Sequence, residues 1–516
     1  MRLTLRTLSG IPEVCRPPVR PDQLQPGIVH IGLGAFHRAH QAVFTQQALV
    51  QAGGDWGIVG VAPRSVDVVG AMREQDGLFT VTRLRDGDAS ASATQVVGVH
   101  TRLLHALTEP AEVIAAVAAP TTRVVTLTVT EKAYRLDPAT GRLRSDDPDL
   151  RADLSTVTEF DAPARTLPGM LLRGLAARAQ ADAGPLAVLC CDNLPDNGHR
   201  VAGMVTQALE LLTTLTAGTV TAATASRLTE WVTANVAFPS SMVDRIVPAT
   251  TPTLLERVER VLGVADRAAV GAEDFSQWVI TDDFPGGRPA WEQAGAILTG
   301  DVSPWERVKL RLLNGAHSAL AYLGALAGRA TIADAIRLPG MHDFLTLLAQ
   351  EVSTTLTPPP GLEPEKYAAA VRERFANSAL GHRTIQVAMD GTQKLPQRVL
   401  APLADLRTTG VSPRWTPLVL AGWMRFVRGY ADDGSRLPLD DPLADRIADA
   451  LRDAGGTDPA STVDALLGLR DVFPASIAED PVIRSTVTAW LTELEKHGAA
   501  AVIAGIASRE TIGPTG

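Results

Sequence analysis

Apolar residues in the first quarter of the chain come in short unbroken runs, each followed by a stretch whose apolar positions recur three or four apart. Residues 27–34 (GIVHIGLG) predict a buried strand running into glycines. Residues 39–53 (AHQAVFTQQALVQAG) predict a helix carried by Val43, Leu49 and Val50 and stopped by a glycine. Residues 56–62 (WGIVGVA), 94–100 (TQVVGVH), 123–130 (RVVTLTVT) and 186–191 (LAVLCC) read as further strands. Near-continuous apolar strands separated by helical segments are the pattern of a largely parallel sheet covered on both faces. The prediction is an α/β, Rossmann-like doubly wound domain over residues 1–296.

Beyond about residue 300 the spacing becomes helical almost throughout, as in VSPWERVKLRLLNGAHSALAYLGALAG, DAIRLPGMHDFLTLLAQEVSTTL and PLADRIADALRDAG. Residues 297–516 are therefore predicted as a mostly α-helical domain, with loops at TPPPGLEPEK and TTGVSPRW. The Thr- and Ala-rich stretch 211–227 reads as surface helix or loop.

Composition narrows the partners. The chain has 516 residues, 45% apolar and 20% charged, with a net charge of −9. That is ample material for two or three buried cores and offers no general attraction for nucleic acid or an anionic membrane. A small-molecule partner is expected, with the protein a monomer or homodimer. The three cysteines, Cys15, Cys190 and Cys191, show neither disulfide nor metal spacing. The opening MRLTLRTLSGIPEVCRPP lacks a signal-peptide core, and no run of about 18 apolar residues follows. The expectation is a cytoplasmic protein. Of the 48 basic residues only five are lysines, at 132, 309, 366, 394 and 496. A lysine in an apolar context is then informative, because burial can make it give up a proton and arginine does not.

Candidate chemistry clusters where strands end. GLGAFHRAH (residues 32–40) lies between a strand and a helix, where Gly32 and Gly34 let backbone amides approach a pyrophosphate. The third position of G-x-G-x-x-G is His37, so a simple tight turn fits the same residues. His37 and His40 have metal-ligand spacing but lack a third ligand nearby, and no metal is assigned. At the tip of the second strand no carboxylate stands ready for the ribose of NAD; Asp67 is the nearest, and Arg64 suits a 2′-phosphate. The choice between NAD and NADP stays open. TVTEKAY and CDNLPDNG begin at strand ends, where Asn193 either supports an oxyanion or caps a turn. Asp244 and Arg245 stand in an apolar stretch, paired locally or facing a cleft.

KLRLLNGAHS carries Lys309, Asn314 and His317. On a helix Asn314 and His317 share a face and His317 lies about 80° from Lys309, but Lys309 and Asn314 are about 140° apart, so substrate or a distortion at Gly315 must close the gap. A buried amine can exchange a proton with a hydroxyl, an amide can support an alkoxide and an imidazole can orient the substrate. Those are the requirements of metal-free alcohol oxidation. An ordinary core helix with a solvated lysine fits the stretch as well.

Taken together, GLGAFHRAH, TVTEKAY, CDNLPDNG, FPSSMVDRIVP, QWVITDDFPGGRPAWE and KLRLLNGAHS resemble the polyol-specific long-chain dehydrogenases, the mannitol dehydrogenase and fructuronate reductase family, over residues 27 to about 400. The resemblance implies a metal-independent, nicotinamide-dependent oxidoreductase, with NAD the expected cofactor. It assigns the lysine base to Lys309, the oxyanion-stabilising amides to Asn193 and Asn314, the orienting imidazole to His317, and a place near the reacting centre to Asp244; Arg245 beside it is a further candidate for substrate binding. Cofactor contacts are expected at Gly32, Gly34, Ala35, Phe36, His37, Arg64, Glu131 and Lys132. GHRTIQVAMDGTQKLPQR (residues 381–398) resembles the fructuronate reductase version, having Gln386 where many mannitol 2-dehydrogenases have arginine. Arg383 and Lys394 are then candidates for a sugar-acid carboxylate, or supports of their loop. The expected reaction interconverts D-fructuronate and D-mannonate. Fructose and mannitol are the alternative pair, and a non-catalytic nucleotide sensor is a further one.

Overall fold

In the computed structural model the described residues are 1–88, 90–137, 140–215, 221–455 and 458–506. The chain divides into two compact units, Met1–Val302 and Ser303–Gly516. The predicted boundary at 296/297 falls slightly early, because Ile297–Thr299 is still a strand paired with Gln277–Thr281.

Strands of the first unit, in chain order, are β1 (Pro26–Ile31), β2 (Gly57–Ala62), β3 (Phe79–Arg83), β4 (Thr94–Val97), β5 (His100–His105), β6 (Val124–Leu127), β7 (Leu186–Cys190), β8 (Val236–Ala237), β9 (Ser241–Asp244), β10 (Val270–Ala272), β11 (Gln277–Thr281) and β12 (Ile297–Thr299). The main sheet runs β5-β2-β1-β6-β7-β8 with every pair parallel. Counted among its own members that order is 3-2-1-4-5-6, the doubly wound Rossmann arrangement. Continuous burial of β2, β6 and β7 follows from cores on both faces. Val29, Ile31, Val125 and Leu127 pack one side, and Ile28 and Val124 the other. The fold is therefore the predicted one, a Rossmann-like unit followed by a helical unit.

Two details differ from the sequence reading. TQVVGVH is not one strand: it breaks at Gly98, leaving β4 antiparallel to β3 in a small sheet with β10, while His100 starts the edge strand of the main sheet. Gln46 supplies the reason, since its side-chain oxygen accepts from the Gly98 N–H at 2.9 Å and draws the chain off the ladder. In the helix Gln41–Ala52, Val50 is exposed and Val43 half-buried, and Phe44 and Ala48 fill the core alongside Leu49.

The second unit has no strand among its described residues. Its centre is the helix Gly315–Leu326, buried on nearly every side as its all-round apolar sequence requires. Around it pack Thr384–Ala388 and Thr416–Phe426, the latter in turn against Pro481–Ala504. No helix among the described residues is long and apolar enough to cross a membrane. Of the stretch 211–227, residues 211–214 end the helix Asn197–Thr214 and 222–227 begin Ala222–Asn235, while 216–220 lie outside the described residues.

Candidate functional site

In the first unit the strand order reverses between β1 and β6, and a cleft of about 410 Å³ opens at the carboxyl ends of these strands. Gly32 turns the chain with φ +116°, and a Cβ there would stand 1.8 Å from the Thr128 carbonyl oxygen, so only glycine fits. Gly34 has ordinary φ and nothing within 4 Å of where its Cβ would be. The two glycines thus do different work: one lets β1 pass close to the neighbouring strand, the other leaves space for a ligand. Gly32, Gly34 and Arg64 line the cleft with Thr130, Arg135 and Thr166; Thr130 belongs to the TVTEKAY segment marked by its strand end, whereas nothing in the local sequence marks Arg135 and Thr166. Asp67 instead lines an adjoining cavity of about 640 Å³ with Glu74 and Arg267.

Five predicted cofactor residues are not on the cleft. His37 is fully buried; its ring stacks 3.3 Å from that of His30 and its Nε2 meets His100 Nε2 at 3.0 Å. Burial, then the neighbouring His30 and His100, hold its pKa well below the usual histidine value. It is a neutral core residue, because the helix opened by Gly34 is a single turn, Ala35–Ala39, that directs His37 inward. Ala35 and Phe36 are half-buried against the same core, Phe36 stacking on His40. Glu131 and Lys132 are exposed on the short turn Glu131–Tyr134, where Thr130 before it and Ala133 within it line the cleft in their place. His40 points elsewhere than His37, its Nε2 donating to the Gln277 carbonyl at 2.9 Å.

Asn193 is exposed directly beyond β7, in a loop fixed by its buried neighbours. Asp192 accepts from the Val129 N–H at 2.8 Å and from the Tyr134 hydroxyl, and burial pushes its carboxyl up to about 7. Asn197 donates to the Asp192 and Ser241 carbonyls at 3.0 and 2.7 Å and accepts from the Ser241 N–H. One buried amide therefore ties the Asn193 loop to β9, whose last residue is the buried Asp244. Arg245 is spent on structure: its guanidinium donates to the Glu273 carbonyl at 2.8 and 3.1 Å and to that of Ala39. A desolvated guanidinium needs such acceptors, so Arg245 is withdrawn from the substrate-binding set.

In the second unit Lys309 and Asn314 are 7% and 5% exposed, and the helix between them is not α but π, Lys309–Asn314. Bonding from residue i to i+5 puts Lys309 and Asn314 one turn apart on one face. The distortion expected at Gly315 lies in these six residues; Gly315 itself is regular, with φ −62°. His317 stacks on Phe375 at 4.8 Å and meets His382 edge-on at 4.9 Å. Its Nε2 is buried with no protein partner among the described residues. Burial first, then the nearby His382, Arg398, Lys394 and Arg374, hold it well below the usual histidine pKa. The ring is neutral and offers a nitrogen to a hydroxyl.

Of the two predicted carboxylate partners, Lys394 acts on His317 while also donating to the Val387 and Met389 carbonyls. Arg383 is exposed, outside this group, because it precedes the helix Thr384–Ala388 as its cap. Arg398 and Arg374 are instead the arginines near enough to act on His317. Arg398 donates to Ser318 Oγ at 3.2 Å from a second π segment, Pro396–Leu400.

A Rossmann-like unit with an open glycine turn, followed by a helical unit carrying an amine, an amide and a neutral imidazole on one helical run, defines a two-unit oxidoreductase. Residues 26–293 match the mannitol dehydrogenase Rossmann domain and 301–495 the mannitol dehydrogenase C-terminal domain, so the chain belongs to the mannitol dehydrogenase family. It is 41% identical to the Escherichia coli K12 oxidoreductase YeiQ (91% of this chain, 92% of the relative). To the D-mannonate oxidoreductase of the same organism it is 38% identical (96% and 99%). The ternary complex of Pseudomonas fluorescens mannitol 2-dehydrogenase with NAD and D-mannitol shares its structure with a TM-score of 0.83 at 30% identity, over 99% of this chain and 100% of that one.

Proposed function

We propose that the chain is an NAD(H)-dependent oxidoreductase that interconverts D-fructuronate and D-mannonate without a metal. The observation that carries the choice of a sugar acid is the set of cationic side chains, Lys394, Arg398 and Arg374, acting on His317. Cationic side chains placed beside a neutral ring that binds hydroxyls can pair with the carboxylate of a sugar acid. The 38% identity to a D-mannonate oxidoreductase supports the same choice. For the cofactor, the cleft at the strand-order reversal and the open face of Gly34 fit a dinucleotide, with Arg64 at the rim on the β2 side.

When bound, the nicotinamide supplies or accepts the hydride. Lys309 exchanges the proton with the reacting oxygen, donating it during reduction. Asn314 donates its amide N–H to that oxygen as charge develops on it, the task the family resemblance also gives to Asn193. His317 orients a neighbouring hydroxyl through Nε2, and Asp244 is placed in the substrate-binding set. Three buried free thiols suit a reducing, cytoplasmic setting. The test is steady-state reduction of fructuronate and of fructose, each with NADH and with NADPH. A kcat/KM for fructose equal to or above that for fructuronate overturns the choice of a sugar acid.

A further inference from the structure

Beneath the glycine turn, His30 of β1 is fully buried and uses both ring nitrogens. Nε2 lies 2.8 Å from the Gly32 carbonyl oxygen and Nδ1 2.7 Å from Thr126 Oγ. A carbonyl only accepts, so Nε2 carries the proton and Nδ1 accepts from the threonine hydroxyl. The other face of the ring is covered by His37, itself bonded to His100 on β5. The Gly32 N–H donates to the Val61 carbonyl at 2.8 Å, so both peptide groups flanking Gly32 are held. In a planar trans peptide the C=O and the following N–H point in opposite directions. Fixing the Gly32 carbonyl toward His30 therefore turns the Leu33 N–H the other way. Leu33 borders the cleft, yet its side chain is in the core beside Gly60, so what it presents there is backbone.

We propose that His30 is a positioning residue for the cofactor: by holding the Gly32 carbonyl it aims the Leu33 N–H at a pyrophosphate oxygen of the bound dinucleotide. The inference rests on the dinucleotide reading above and adds to it a residue that touches neither substrate nor cofactor.

The test uses the full-length protein and NADH binding followed by protein fluorescence. His30→Phe keeps an aromatic ring in the stack and removes both hydrogen bonds; His30→Gln restores a donor toward Gly32. The expected result is a rise of about tenfold in the Kd for NADH with His30→Phe, the size of one lost hydrogen bond, with kcat at saturating NADH and the KM for sugar within about twofold of the parent. His30→Gln should recover most of the affinity. Thr126→Val, a milder change, should raise the Kd about two- to threefold by releasing Nδ1. NADH affinity unchanged in both His30→Phe and Thr126→Val overturns the proposal. So does a loss of melting temperature, kcat and both affinities together that His30→Gln does not rescue. Failure of the parent protein to bind NADH overturns the cofactor reading itself, a separate result.

Discussion

Alanine at Gly32 and alanine at Gly34 should fail in opposite ways, although the two glycines are one residue apart in the same turn. At Gly32 the added methyl meets the Thr128 carbonyl at 1.8 Å and φ of +116° is a region that alanine avoids. The backbone strain costs about 1–3 kcal/mol. The Thr128 oxygen must also retreat by well over an ångström, which loosens the Thr128 N–H to Ile31 carbonyl bond (2.9 Å) and its neighbour in the ladder at about 1 kcal/mol each. Gly32→Ala is therefore expected to lose about 3–5 kcal/mol of stability, a large part of what a domain of this size has. At Gly34 φ is −64° and the methyl meets nothing, so the fold should change by less than about 1 kcal/mol. If the dinucleotide crosses that open face, the same methyl stands in its path, and the Kd for NADH should rise at least tenfold. Urea unfolding gives the first quantity and fluorescence titration the second. Parental NADH affinity in Gly34→Ala would refute the placement of the cofactor. Parental stability in Gly32→Ala would refute the crowding against Thr128.

Lys309→Met keeps the buried stem and removes the acid, so kcat should fall by about 10²–10⁴ while the Kd for NADH holds; activity near the parental level would dismiss Lys309 as the proton donor. Arg398→Met and Lys394→Met should each cut kcat/KM for fructuronate about tenfold or more with a smaller effect on fructose, and an equal loss on both substrates would speak against a carboxylate contact. Stability should also report His30, whose pKa burial pushes down to about 3. Between that value and the usual histidine range the unfolded chain binds a proton that the native ring refuses, so this contribution falls as the pH falls. The gap in unfolding free energy between the parent and His30→Phe should narrow by about 2 kcal/mol from pH 7.5 to pH 5; a constant gap would mean that His30 takes up its proton in the fold as readily as in the unfolded chain.

The main sheet was legible because β1, β2, β6 and β7 are buried on both faces and so are written as near-continuous apolar runs. The small sheets were not, since β10 and β12 are three residues each and too short to show a period. GLGAFHRAH was legible as a glycine turn, but a pattern of residue types cannot say that His37 faces inward while Leu33 turns backbone to the cleft. The group around His317 was half legible. Lys394 stood out as one lysine among many arginines, whereas Arg374 and Arg398 are ordinary members of that majority, made special only by the packing of their helices around Phe375 and Gly315.

The π segment shows where sequence periodicity itself gives out. At 100° per residue Lys309 and Asn314 cannot share a face, and no proline or glycine between them announces a departure. The second segment does carry a local cause: Pro396 lacks the N–H of a regular turn and its ring crowds the carbonyl four residues back. For the first, the cause is tertiary. Arg311, 9% exposed, donates to the Thr355 carbonyl at 3.0 Å and to its hydroxyl, and pairs with Asp405, while Leu312 and Leu313 must still reach the core. A buried guanidinium that loses its acceptors costs more than a widened turn, so the helix yields. Widening places Lys309 over Asn314, and the return to α-helical spacing at Gly315 keeps Asn314 and His317 three residues apart on the next turn. Gly315 has no Cβ to hold off the Arg398 carbonyl, from which a methyl would be 3.2 Å away. The two π segments can therefore pack together, and the amine, amide, imidazole and guanidinium of the helical unit are assembled by one buried arginine that takes no part in the chemistry.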